Sequence, residues 1–134
     1  MSDNAKPTAA APPEFPFPEA VEANGYRVFP DELEIDPLIA FHGTAAANLP
    51  SIIGDGFGFK GELKSLSFAK SSALALGYAC GKRSDASPEG CILAVRFQSS
   101  NGVEEEASLF HVYRLDRLPA VIGYCIVPAT YVHR

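Results

Sequence analysis

His42, Gly43 and Thr44 follow a short apolar run at residues 38–41, and their types suit ligand binding. A glycine lets a ligand come close to its backbone N–H and C=O. A primary carboxamide presents a donor and an acceptor side by side, so one glycine's backbone can satisfy both. The imidazole of His42, next in the chain, can hydrogen-bond a ribose hydroxyl through either ring nitrogen. Those contacts outline a nicotinamide-riboside site. A second group, Ser65-Leu66-Ser67-Phe68-Ala69, leads into a stretch that carries Ser71, Ala75 and Tyr78. These last three are spaced i, i+4, i+7 and share one helical face, so Tyr78 can stack on a flat ring with a serine hydroxyl beside it. Taken singly, a histidine at a strand end and a tyrosine on a helix are ordinary structural residues.

The elements that must hold these residues are short. Residues 26–29 read as an edge strand closed by Pro30, and residues 38–41 as a strand buried on both faces. Residues 45–53 have helical length, and Pro50 belongs in a first turn, so a helix should start near Asn48 or Leu49. Residues 66–69 read as a strand and 70–80 as a helix, with Ser71 or Ser72 as N-cap. Residues 91–97 form the clearest strand, set between polar loops at 81–90 and 98–108. Residues 109–114 and 120–127 read as two more strands. Strand, helix, strand, helix and then three strands lack regular βα alternation, so the expected class is α+β.

Residues 1–18 are rich in Pro and Ala, which predicts a disordered or extended arm, with Phe15 and Phe17 tacking its end onto a single domain over 19–134. Within 134 residues, 16 acids against 11 Lys and Arg give a net charge of −5, which disfavours a general nucleic-acid surface. No apolar run reaches membrane-spanning length. Cys80, Cys91 and Cys125 cannot all pair, and neither they nor the three histidines stand at metal-site spacing. The expectation is a cytoplasmic protein with reduced thiols, no metal, no Sec signal and, by default, a monomer.

Together FHGT (41–44), NLPSIIGDGF (48–57), SLSFA (65–69), GYA (77–79), CILAVRF (91–97) and the ending at 109–128 resemble the ADP-ribosyltransferase superfamily. The likeness is to its poly(ADP-ribose) polymerase-like branch and covers roughly residues 38–128. The eleven-residue step from Ser67 to Tyr78 equals that branch's step from its strand tyrosine to its stacking tyrosine. The resemblance implies a split antiparallel sheet with two short helices and NAD as substrate. It makes His42, Gly43, Thr44, Ser67, Phe68, Ser71, Ser72 and Tyr78 the NAD-binding set. His42 would hold the ribose, Gly43 clasp the carboxamide and Tyr78 stack on the nicotinamide.

Three positions depart from the branch. Ser67 replaces the strand tyrosine, and Ala75 replaces the carboxamide serine, with Ser71 or Ser72 one turn earlier as substitutes. Leu109 falls where the catalytic glutamate belongs, as in several mono-ADP-ribosyltransferases. In toxin-like members a Glu-x-Glu pair sits just upstream. Here that loop carries Glu104-Glu105-Glu106, an acidic run that is otherwise a solvated face. Glu106, with Glu104 as partner, is the implied catalytic acid beside His42. The Gly-rich stretch 54–65 would be a reduced donor loop, with Lys60 or Lys64 meeting the pyrophosphate.

The implied activity is transfer of one ADP-ribose from NAD to an unknown acceptor, a protein rather than nucleic acid. A non-catalytic module of the same fold, holding NAD, ADP-ribose or a protein, is the alternative. An RNA 2′-phosphotransferase would need more basic residues near the site than this chain supplies.

Overall fold

Gly90–Arg96 is buried at every position except its last, because it has a neighbour on each side and a layer over each face. In the computed structural model, which describes residues 12–55, 57, 66–99, 103–113 and 118–133, this segment is β3 of one antiparallel sheet. The other strands are β1 (Ile39–Ala45), β2 (Leu66–Ala69), β4 (Val103–Glu105), β5 (Leu109–Val112) and β6 (Ala120–Val127). Their order is β4-β5-β2-β1-β3-β6. Helices α1 (Asp31–Glu34), α2 (Leu49–Asp55) and α3 (Ser72–Gly81) complete an α+β fold.

Strand alternation divides the core in two. Phe41 of β1, Ile92 of β3 and Cys125 of β6 face α3, where Ala75, Leu76 and Ala79 cover them. Ala40, Phe68, Leu93 and Val112 face the other way, toward Leu49 and Ile52 of α2 and toward Phe57. A strand buried on both faces is apolar throughout, which is why 91–97 stands out in the sequence.

Helix α3 starts where expected, with the Ser71 hydroxyl accepting from the Leu74 N–H at 3.2 Å. It lies directly on β1 and β3. A Cβ on Gly43 would stand 2.1 Å from the Ala75 carbonyl oxygen and 2.7 Å from the Ala79 nitrogen. One on Gly90 would meet the Ala79 carbonyl at 2.7 Å. Helix α2 begins at Leu49 with Pro50 in its first turn, after a 3₁₀ turn at Ala46–Asn48.

Several expectations are corrected. Residues 26–29 are not a strand: Gly25 and Tyr26 turn the chain with φ of 69° and 57°, and the Val28 N–H donates to the Ser72 hydroxyl at 3.0 Å. Strand β1 does not stop at Phe41 but runs through His42, Gly43 and Thr44 to Ala45, because β3 pairs with it along its whole length. The loop at 98–108 contains β4, which gains its structure from pairing with β5. The one-turn helix α1 adds a third helix to the two expected.

Of the Pro/Ala-rich arm, residues 12–18 are extended and attached. Phe15 donates its N–H to the Tyr124 carbonyl at 2.8 Å, and the Pro13 carbonyl accepts from the Tyr124 N–H at 3.1 Å. The Phe15 ring lies on Gly123 and edge-on to Phe29, while Phe17 meets Tyr131 edge-on. Residues 1–11 lie outside the described residues.

Candidate functional site

The site begins with hydrogen-bond directions along β1. Leu38 and Ala46 bond toward β3, the first through its carbonyl to the Phe97 N–H and the second through its N–H to the Glu89 carbonyl. In a regular strand the even residues therefore point to β3, and Phe41 and Gly43 point to β2. On β2 the Lys70 N–H bonds the Ser108 carbonyl next to β5, so the odd residues Ser67 and Ala69 point to β1. Phe41 and Ala69 pair, and among the described residues they are where β1 and β2 meet. The next bonded pair of a regular ladder would join Gly43 to Ser67, and among the described residues the register does not continue to it.

The ring of His42 lies at this point, beside the Ser67 backbone. It hydrogen-bonds the Ser67 backbone in the sense that favours the protonated ring, so the imidazole N–H donates to the Ser67 carbonyl. The registered pairing of the two strands parts there among the described residues, and Gly43 has its N–H and C=O on that edge. Phe57 meets the His42 ring edge-on at 5.2 Å between centroids, and Phe68 lies against it at 5.6 Å. Burial among these rings pushes the His42 pKa below its usual value; the Ser67 carbonyl opposes the shift and the nearby Lys82 ammonium adds to it. His42 is thus a neutral imidazole near pH 7.

Tyr78 stands on α3 one residue before Ala79, which touches Gly43, and its ring is 48% exposed. It is an exposed residue of the helix that covers β1, not a core residue. Ser71, the N-cap, is also exposed.

Three residues expected to contact a ligand are engaged elsewhere. Phe68 is fully buried and forms the floor beneath His42. Ser72 is fully buried, bonded to the Glu34 carboxylate and the Val28 N–H, and so ties α3 to the N-terminal segment. Thr44 is buried too, and its hydroxyl accepts from the Asn48 amide at 2.9 Å.

The acidic run divides by strand alternation. Glu105 pairs with Lys70, while Glu104 accepts from the Tyr113 hydroxyl at 3.3 Å. Glu106 begins the β4–β5 turn, its N–H donating to the Leu109 carbonyl at 2.9 Å, and its carboxylate touches Nε2 of His111. Nδ1 of His111 is 2.8 Å from the Ser67 hydroxyl. Sequence reasoning passed over His111, although its position two residues after Leu109 in an alternating strand puts it on the same face. Leu109 pairs with Ala69 and packs against the α3-side core. Ser65, Lys60 and Lys64 lie outside the described residues.

Cys91 and Cys125 are buried thiols whose pKa values burial pushes up to about 12. Among the described residues no helix is long and apolar enough to cross a membrane. In comparisons with protein-family models and with curated proteins, the chain matches none.

Proposed function

We propose that the protein is a NAD-dependent mono-ADP-ribosyltransferase with an ADP-ribosyltransferase-like fold, binding the nicotinamide end of NAD where β1 and β2 part. The observation that carries this reading is the register of β1 and β2: among the described residues they pair only at Phe41–Ala69, and Gly43, the next residue on that edge, has its backbone N–H and C=O on the β2 side. A carboxamide matches that donor and acceptor. Tyr78, exposed on α3 one residue before the Ala79 that packs over Gly43, offers a ring for stacking. Neutral His42 can accept from or donate to a ribose hydroxyl by releasing the Ser67 carbonyl.

The chemistry needs little from the protein beyond position and charge. The bond between ribose C1′ and the nicotinamide nitrogen breaks with its electron pair leaving on nicotinamide, and an acceptor nucleophile takes C1′. Orientation lowers that barrier, and negative charge near the developing cation lowers it further. With an aliphatic residue at Leu109, a single transfer fits better than chain elongation. A net charge of −5 favours a protein acceptor over a nucleic acid.

The test is calorimetric titration with NAD, together with a nicotinamide-release assay, on wild type, His42→Ala and Tyr78→Ala. Binding lost in both variants, with release by wild type, is the expected result. Binding without release, with candidate acceptor proteins present, would favour the non-catalytic module instead. No binding at millimolar NAD would overturn both.

A further inference from the structure

Across β4, β5 and β2 a row of polar side chains lies on the α3 face, and it contains a hydroxyl, an imidazole and a carboxylate in contact order. Ser67 and His111 are direct partners on β2 and β5. Their even-numbered neighbours carry the ladder bonds, so this is a non-hydrogen-bonded pair, the kind that brings opposed side chains closest. The Ser67 hydroxyl is 2.8 Å from His111 Nδ1. His111 Nε2 is buried and touches the Glu106 carboxylate, in an ion-pair contact rather than an aligned hydrogen bond.

The carboxylate determines the tautomer. An anion against Nε2 favours the proton on that nitrogen, which leaves Nδ1 a lone pair directed at the Ser67 hydroxyl. A hydroxyl that donates to a neutral imidazole, itself backed by an acid, is an activated nucleophile. Ser67 is exposed, so a reagent can reach it. Its backbone lies beside the His42 ring, and by register it stands opposite Gly43, so the hydroxyl stands beside the proposed nicotinamide site.

We propose that Ser67, His111 and Glu106 act as nucleophile, base and orienting acid, and that Ser67 is the first acceptor of ADP-ribose, in cis. The identity of the transferred group rests on the function proposed above; the activation of Ser67 does not. In the step, a bond forms between Ser67 Oγ and ribose C1′ while the C1′–N bond breaks and neutral nicotinamide departs with the electron pair. The Ser67 proton passes to His111 Nδ1, and Glu106 balances the imidazolium until water takes the proton. His111 acts on the reacting hydroxyl directly; Glu106 is a positioning residue.

Two readouts on the full chain test this. The first is treatment with diisopropyl fluorophosphate, whose P–F bond breaks as P–O forms on an activated serine, followed by peptide mapping. The expected adduct is on Ser67, absent in Ser67→Ala and slowed about 100-fold in His111→Gln, the scale of a lost general base. Glu106→Gln should slow it as well, with Glu106→Asp recovering part of the rate, and circular dichroism must find each variant folded. No adduct on Ser67 of the folded wild type overturns the relay. The second readout is incubation with NAD, with ADP-ribose mapped by mass spectrometry, and modification of Ser67 is the expected result. Nicotinamide release with ADP-ribose only elsewhere, or on no residue, overturns Ser67 as acceptor and leaves the proposed transferase standing. A diisopropylphosphoryl adduct on Ser67 with no nicotinamide release overturns the transferase, and with it ribosyl transfer to Ser67, while the activated nucleophile stands.

Discussion

His42 is held in a folded environment that disfavours its charged form, and this makes stability depend on pH. Its pKa is lowered from 6.5, chiefly by burial. The unfolded chain therefore takes up a proton on this residue at a higher pH than the folded chain does. Between 6.5 and the lower folded value, the unfolded state binds more protons, so stability rises with pH. The His42 contribution is whole above that window and falls away as the pH drops through it. Urea midpoints measured from about pH 5 to 8 should decline on the acid side, and His42→Gln should flatten that decline. An unchanged slope in the variant would mean that other groups carry the acid sensitivity. Ser72 is a second residue whose role lies in structure. Ser72→Ala would strand the buried Val28 N–H and leave the Glu34 carboxylate only the Phe29 N–H of its two donors, a loss of about 1–3 kcal/mol by urea denaturation.

At the scale of elements, the α3–β1 contact decides whether the site can exist. Ala75 and Ala79 bring the helix backbone onto Gly43, closer than any side chain allows. Gly43→Ala would place its methyl 2.1 Å from a backbone carbonyl, which no rotamer change can relieve. The helix would have to lift from the sheet, at about 3 kcal/mol or more. A lowered urea midpoint, with loss of any NAD binding, is expected; a variant as stable as wild type would mean that α3 moves freely on β1. Gly43 thus has two separate duties, contact with α3 above it and a backbone edge turned to β2. Among the described residues β2 meets β1 in register only at the Phe41–Ala69 pair.

For the molecule as a whole, the segment at 12–18 shields an edge. Strand β6 is the last strand of the sheet, and Pro13 and Phe15 occupy its outer backbone at Tyr124 while Phe15 covers Gly123. Removing residues 1–18 should lower stability and expose an edge open to pairing between copies. Urea denaturation and light scattering would check both effects, and a truncated chain as stable and as monodisperse as the full one would refute them. The buried cysteines report on the same body from inside. Cys91 and Cys125 lie on opposite faces of the sheet, with thiols pushed up to about 12, so alkylation at pH 8 should spare them until the chain unfolds.

Periodicity and punctuation determined a good part of this molecule. The apolar run at 91–97 announced the central strand, Ser71 marked the start of α3, and Pro50 marked the first turn of α2. These signals are local, since each depends on residues a few positions apart. The α+β class followed from their order. Residues 26–29 read as a strand, yet Tyr26 stacks on His133, Val28 bonds to Ser72 and Phe29 packs on Phe15 and Phe41, so their apolar residues serve packing rather than a ladder; β4 escapes sequence reading because three residues form a strand only beside β5. Site residues divide in the same way. His42, Gly43 and Tyr78 stand out in the sequence by type and spacing, and the fold sets them on β1 and on the helix that packs over it. Phe68, Ser72 and Thr44 were read as ligand contacts, yet burial assigns them to the frame, and burial is a sum over distant segments. Only the tertiary structure put His111 between Ser67 and Glu106, since a cross-strand register joins residues 44 positions apart and leaves no trace in their spacing.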